Sequence, residues 1–407
     1  MKPKKSIIKL KYVAVILVII IILVTMFILR QKISDNFVNK DSKNTVNVLE
    51  KDVIVKPKTT RFIAAGDFIA HDALNLQAKN VEGQYNYFQF MDQMKPVMSS
   101  ADIRFCNQST LVGGEKFGVT GYPSFNAPEA FANNMVDVGC NLINTASNHS
   151  SDKNQSVIDS NVAIWQKIQG TLTVVGQNSS DEARQRVNYF VIDGLKYAFL
   201  AYTTYSNSTP PASYSVNMYS REFAKLQVAA AKAAGAKFII VSMRWGTEYS
   251  GGVNGYQLSE SQYLADLGVK LVLGHGPHVL EPVKRLTGTG GNETLVWYSL
   301  GNFLHAQLEP ETLFNGIAVL EIDPKNASII SAGFLPTYMH YDWTAEEAKK
   351  QDLLARKNFE LVPLEKSTEL FKSSHLNTTI DAQEKRISST LNTFTSIPIL
   401  TLKDIGL

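Results

Sequence analysis

The stretch "LVLGHGPHVLEPV", Leu271 to Val283, carries two histidines three residues apart behind an apolar run. Leu271 to Leu273 read as a short buried strand. Gly274 and Gly276 then free the backbone, and Pro277 fixes it. Strand, tight turn and two imidazoles make a loop that aims the rings of His275 and His278 at one point. A metal ion suits such a point, provided the rest of the chain brings further ligands.

The same alternation of short apolar runs, turns and helix-length segments extends to both sides. "RFIAAGD" reads as a strand and "YFQFMDQMKPVMSSA" as a helix; "IRFCNQ" is a strand and "PEAFANNMVDVG" a helix. "NLINTASNH" is a strand and "QSVIDSNVAIWQKIQG" a helix. "YFVIDGLKYAFLAYT" reads as a hairpin turning at Asp193-Gly194. A helix from about Arg221 to Ala234, the strand "KFIIVSMRW", a helix near "SESQYLADLG" and the strands "KLVLGHG" and "TLVWYSLGN" follow. "IAVLEID" and "ASIISAGFLPTYM" read as a later strand pair. Strands alternating with helices imply a layered α/β domain with crossover connections.

In such sheets ligands gather at the carboxyl ends of strands. Here the strand ends are polar. They carry Asp67, with His71 beyond it; Asn107 and Gln108; Asn148, His149 and Asp152; Arg244 and Glu248; His275 and His278; and Asn302. Each alone has a plain explanation as a turn or a cap. Together they supply the O- and N-donors that borderline divalent metals take. A metal held there would polarise an oxygen and lower the pKa of bound water to about 7.

Composition bounds the rest. The chain has 407 residues, 44% hydrophobic and 19% charged, which fits a globular protein with a real core. A formal net charge of +3 is too mild to argue for nucleic acid. Cys106 and Cys140 form no CxxC motif, and two buried free thiols are expected, a disulfide being the alternative. Residues 12–29 are uncharged and as a helix would span roughly 27 Å, about one hydrocarbon core. Lysines crowd residues 1–11, so the charge bias puts the N-terminus in the cytoplasm and the main domain outside the cell. The expected layout is a basic cytoplasmic segment (1–11), a single-pass membrane anchor (12–29), a linker (30–59), the main domain (60–343) and a C-terminal extension (344–407).

The order "GD", "NQ", "SNHSSD", "RWGTEY", "GHGPHVLEP" and "YSLGNF" resembles the CapA family of poly-γ-glutamate capsule synthesis proteins, also called PgsA. The likeness runs from about Phe62 to Leu304. It implies a calcineurin-like metallophosphatase fold, with two packed sheets flanked by helices in four α/β/β/α layers. It also implies a part in making or exporting anionic polyglutamate beside integral-membrane synthase subunits. Carried over residue by residue, Asp67, Asn107, Asn148, His275 and His278 match metal ligands. His149, with Asp152 behind it, matches a residue that protonates a leaving group. Gln108, Arg244, Glu248 and Asn302 are left to contact substrate.

This chain departs from that pattern at two positions. Gln108 stands where the family carries a glutamate, and Arg244 where it carries a histidine. The first change removes a negative charge, and the second adds a permanent cation that cannot ligate. One weakly held divalent ion (Mn, Zn or Fe), or none, is therefore expected. Arg244 is free instead to bind a carboxylate or phosphate. An accessory component of a capsule synthase that handles anionic polymer is the leading expectation. A metal-dependent hydrolase of a phosphoester or amide is the alternative, and a surface binding protein unconnected to a synthase is a third.

Overall fold

The computed structural model describes residues 24–26, 58–374 and 376–407. Its strands are β1 (Thr60–Phe68), β2 (Ile103–Gln108), β3 (Leu142–Asn144), β4 (Thr173–Val175), β5 (Asn188–Ile192), β6 (Leu195–Thr203) and β7 (Phe238–Arg244). There follow β8 (Leu271–His275), β9 (Leu280–Thr287), β10 (Glu293–Leu300), β11 (Asn302–Leu304), β12 (Phe314–Asp323), β13 (Ser328–Asp342) and β14 (Lys357–Pro363). They form an eight-stranded sheet, in the order β14-β13-β12-β1-β2-β3-β4 with β11 also beside β1, and a six-stranded sheet, in the order β5-β6-β7-β8-β10-β9.

The two sheets pack face to face because their strands are apolar on both sides. In β6, Phe199 and Ala201 join a core shared with Phe62 and Phe105 of the first sheet. The alternate residues Ala198, Leu200 and Tyr202 join a second core beneath the helices. Helices Arg221–Ala233 and Gly255–Asp266 close that outer layer with Phe223, Val228 and Leu264. Ser220 and Asn254 cap them by accepting from the backbone N–H groups of Phe223 and Gln257. Helices Glu129–Val138 and Gln155–Lys167 pack Phe131, Met135, Ile164 and Trp165 into the core of the first sheet. Parallel strands buried on both faces read as continuous apolar runs, which is why β7 and β8 stand out in the sequence.

The hairpin turn falls at Asp193-Gly194, both at positive φ (50° and 78°), as a two-residue turn of this hand needs. Other expectations change. The segment read as one helix from Tyr87 is two 3-10 turns, Phe88–Phe90 and Asp92–Met94, and a short helix, Lys95–Ser99. Pro96 can occupy only the first turn of a helix, so it starts a new one rather than continuing the old. Residues 344–407, set apart as an extension in the sequence, supply β14, which pairs with β13, and place Ile387, Leu391 and Ile405 in the shared core. They fall in the same compact unit as the rest, Pro57–Leu407.

The expectation of a single-pass cell-membrane protein is corrected. No helix among the described residues is long and apolar enough to cross a membrane. The helices Gln155–Lys167 and Arg221–Ala233 run 13 residues each, short of the ~20 a span requires. Residues 12–29, on which the expectation rested, lie outside the described residues except for 24–26.

The cysteines are not free thiols. Cys106 on β2 and Cys140, just before β3, are joined by a disulfide. The parallel pairing of β2 with β3 brings their Cα atoms to 5.8 Å, inside the range such a bond accepts. With the cysteines 34 positions apart in sequence, reduction is expected to cost roughly 3–4 kcal/mol of stability by constraining the unfolded chain less. Urea denaturation with and without reductant checks this; coincident midpoints would refute it.

Candidate functional site

The site forms where the carboxyl ends of strands from both sheets meet. Asp67 lies at the end of β1, in register with Asn107 of β2 and Asn302 of β11. Asn107 in turn faces Asn144 at the end of β3. In the other sheet Arg244 of β7 is in register with His275 of β8. Side chains alternate along a strand, so Asn107 and Gln108 cannot share a face. Asn107 turns inward to Asp67 and His275. Gln108 turns the other way, accepts from Trp165 Nε1 at 2.6 Å and donates to Asn161 Oδ1 at 3.1 Å in helix Gln155–Lys167. Gln108 therefore stands apart from the other site residues.

The inner cluster is closed on itself. The Asp67 carboxylate is fully buried and accepts from Asn107 Nδ2. Its Oδ2 lies 2.9 Å from His278 Nδ1, off the ring's N–H axis, and has no hydrogen-bond partner. The in-line partner of His278 Nδ1 is Asn302 Oδ1 at 3.0 Å. Burial pushes the Asp67 carboxyl up, but His278, His275 and Asn107 outweigh it and hold it below its ordinary value. Both nitrogens of His275 are engaged: Nδ1 accepts from Asn107 Nδ2 at 2.9 Å, and Nε2–H donates to Ser242 Oγ at 2.8 Å, with Asn144 Nδ2 3.1 Å away. Burial drives the His275 imidazole down to about 3, with Arg244 and His278 adding to the effect and Asp67 opposing it, so the ring is neutral.

Arg244 is also fully buried, so it does not line an open substrate surface. Its Nε donates to Asn148 Oδ1 at 3.1 Å and its Nη2 pairs with Glu248 at 2.7 Å. The guanidinium lies 4.0 Å from the centroid of the Tyr205 ring. Its third nitrogen, Nη1, has no partner. A side chain at Gly276, which has φ +107°, would strike Arg244, so this glycine lets the turn after β8 fold over the guanidinium.

A cavity of about 360 Å³ opens beside this cluster. Its wall includes His71, Ser109, His149, Asn207, Glu248 and His278, with Tyr122, Tyr205 and Tyr249 around them. His149 is held by Asp152, whose Oδ2 lies 2.7 Å from His149 Nδ1 and also accepts from the Phe125 backbone N–H. That carboxylate fixes the proton on Nδ1 and leaves the Nε2 lone pair 3.2 Å from Asn207 Nδ2. His278 and Tyr249 both adopt positive φ (64° and 61°) without being glycine, a conformation that side chains disfavour. His71 is also part of the wall. Its Nδ1 accepts from the Ala306 backbone, and burial holds it well below its ordinary value.

The donors do not fit a two-metal centre. Among the described residues no group of three or more His, Cys, Asp or Glu side chains is placed to hold a metal ion. The His275 nitrogens are taken, His278 Nδ1 serves Asn302, and Asn148 Oδ1 accepts from a fixed cation. Asp67 Oδ2 is left without a hydrogen bond in this inner cluster.

Sequence reasoning missed Asn144, Ser242, Asn207, Tyr122 and Tyr205. Asn144 was legible as the true polar end of β3, which stops at that residue instead of running on to Asn148. Asn207 and Tyr205 lie in a segment without periodicity, where no local signal marks them.

A family model described as bacterial capsule synthesis protein PGA_cap matches residues 61–307. The PGA biosynthesis protein CapA of Bacillus subtilis is 28% identical over 183 residues, 42% of this chain and 44% of that protein. The capsule biosynthesis protein CapA of Bacillus anthracis is 23% identical over 219 residues, 49% of this chain and 51% of that protein. The chain thus spans about half the length of the curated relatives it matches. Among solved structures, a novel phosphatase from Mycoplasma pneumoniae aligns with a TM-score of 0.43 and 12% identity, covering 69% of this chain and 94% of its own. A 5'-nucleotidase precursor from Thermus thermophilus aligns with a TM-score of 0.43 and 13% identity, covering 69% of this chain and 54% of its own. The family match covers more than half of the sequence, and the chain belongs to the bacterial capsule synthesis protein family PGA_cap.

Proposed function

We propose that the chain serves poly-γ-glutamate capsule synthesis or export by handling the polymer beside synthase subunits, without hydrolysing it. The relatives named for PGA and capsule biosynthesis support the pathway. We read the two packed sheets with outer helices as a metallophosphatase-like frame adapted to this use. The observation that carries the non-hydrolytic reading is the Arg244 guanidinium fixed against Asn148 and Glu248. A permanent cation there opposes a metal ion at the place where the strand ends converge. Asp67, Asn107, His275 and His278 then act as a buried polar plug that sets the shape of the cavity.

A second reading, hydrolysis of a phosphoester or amide, is favoured by the His149–Asp152 pair. Its tautomer gives His149 Nε2 the lone pair a general base needs. A strain lacking the gene, complemented with His149→Ala, separates the two. The purified wild-type protein is expected to hold less than one equivalent of metal and to show no manganese-dependent phosphoester turnover. Loss of polymer at normal protein level, together with manganese-dependent phosphoester turnover that His149→Ala abolishes, would establish the hydrolase instead.

A further inference from the structure

The tyrosines at the mouth of the cavity are unusually open for their size: Tyr122, Tyr205 and Tyr249 are 74%, 38% and 49% exposed. Among the described residues, Glu248 is the one acidic side chain in the cavity wall, and no lysine or arginine lines it. Its Oε1 accepts from both Arg244 Nη2 and the Tyr205 hydroxyl, the latter at 3.2 Å, while the side chain stays 40% exposed. Tyr249 is pushed up to about 12 by burial and then by Glu309 and Glu248, so two carboxylates act on this rim. Deeper in, His149 and His278 are held in place by Asp152 and Asn302, and His149 Nε2 already faces Asn207 Nδ2 at 3.2 Å.

A bare carboxylate entering this cavity meets a carboxylate and the negative faces of aromatic rings. A primary ammonium meets a complementary partner in each: π faces and a carboxylate. We propose that the cavity binds the primary ammonium group at the amino end of a chain. The proposal rests on the polymer-handling reading and sharpens it. A γ-linked glutamate chain carries a carboxylate on every residue but a single free amino end. The site therefore recognises where the polymer terminates and not the acidic groups along it. The Arg244–Glu248 pair supports this role by holding the carboxylate at the rim.

Calorimetric titration of the full-length protein at neutral pH tests it with defined probes: a γ-linked oligoglutamate with a free amino end, the same oligomer N-acetylated, and n-butylammonium. The free-ended oligomer is expected to bind about tenfold more tightly than the acetylated one. n-Butylammonium is expected to compete with it. Tyr249→Ala, which unpairs no buried charge, should erase the preference, as should Glu248→Gln. Equal binding of the two oligomers overturns the proposal and leaves polymer handling standing. Binding of n-butylammonium with neither oligomer bound upholds the ammonium site and overturns polymer handling. No binding by any probe overturns both.

Discussion

Gly274→Ala is expected to cost at least about 4 kcal/mol and to leave little folded protein. Gly274 lies near the end of β8, between β7 and β10 in the six-stranded sheet. A Cβ there would come within 1.9 Å of the Tyr298 carbonyl oxygen and 2.5 Å of Trp245 Nε1. Those two atoms are joined by a 2.8 Å hydrogen bond that crosses over the glycine, between residues that are fully buried. A methyl group cannot be accommodated by rotating a flexible side chain, because one obstacle is backbone of a core strand. Either β8 separates from β10 or the indole N–H loses its acceptor inside the core. His275 is the next residue, so the same displacement takes its ring away from Ser242 and Asn144. Gly255→Ala is the control: it opens a helix and nothing lies within 4 Å of its added Cβ. Soluble yield and the urea midpoint of both variants check the account. A Gly274→Ala protein within about 1 kcal/mol of wild type would refute it, since packing this tight admits no silent methyl.

The legible parts of this molecule are those where local chemistry and tertiary role coincide. β7 and β8 are apolar on both faces, the pattern imposed on a parallel strand held between two layers. Asp67 and His275 were visible as polar side chains at the carboxyl ends of buried strands, and Asn148, His149 and His278 as polar residues in the loops just beyond such ends. β9 was hidden because Pro282 and charged Lys284 and Arg285 interrupt it. Its place at the sheet edge explains why proline is tolerated there. The opposed faces of Asn107 and Gln108 were available in principle, since neighbours on a strand always diverge. The family pattern treats them as a pair, which obscured this. The disulfide and the Tyr205–Asn207 contribution were not legible, because both depend on where distant segments of chain come to rest. Arg244 was legible as a cation at the end of a strand, but its complete burial, which takes it off the substrate surface, depends on Tyr205 and on the turn at Gly276.

Stability is expected to peak near pH 6.5 and to fall on both sides, with a different cause on each. On the acid side the causes are buried neutral imidazoles. Burial lowers His275 and His305 from 6.5 to about 3, and His71 well below 6.5. Below pH 6.5 the unfolded chain takes up protons that the folded rings refuse, so stability is lost as pH falls toward 3. Each ring contributes a slope of about 1.4 kcal/mol per pH unit. On the alkaline side the cause is Glu281. Its carboxyl is pushed by burial from 4.5 up to about 8, against the pull of a 2.6 Å hydrogen bond from Gln257. Its Oε1 has no partner, so an ionised oxygen there has nothing to solvate it. Above pH 4.5 the unfolded side chain ionises while the folded one keeps its proton. The folded state then binds more protons, and its stability declines until the folded group ionises near 8. Below pH 6.5 the imidazole slopes mask this decline. Between pH 6.5 and 8 it stands alone and amounts to about 2 kcal/mol. Glu281→Gln should flatten that limb and leave the acid limb unchanged, as measured by urea denaturation at half-unit pH steps. If the decline between pH 6.5 and 8 persists in the variant, a group other than this carboxyl is responsible, and Glu281 is ionised in the folded protein.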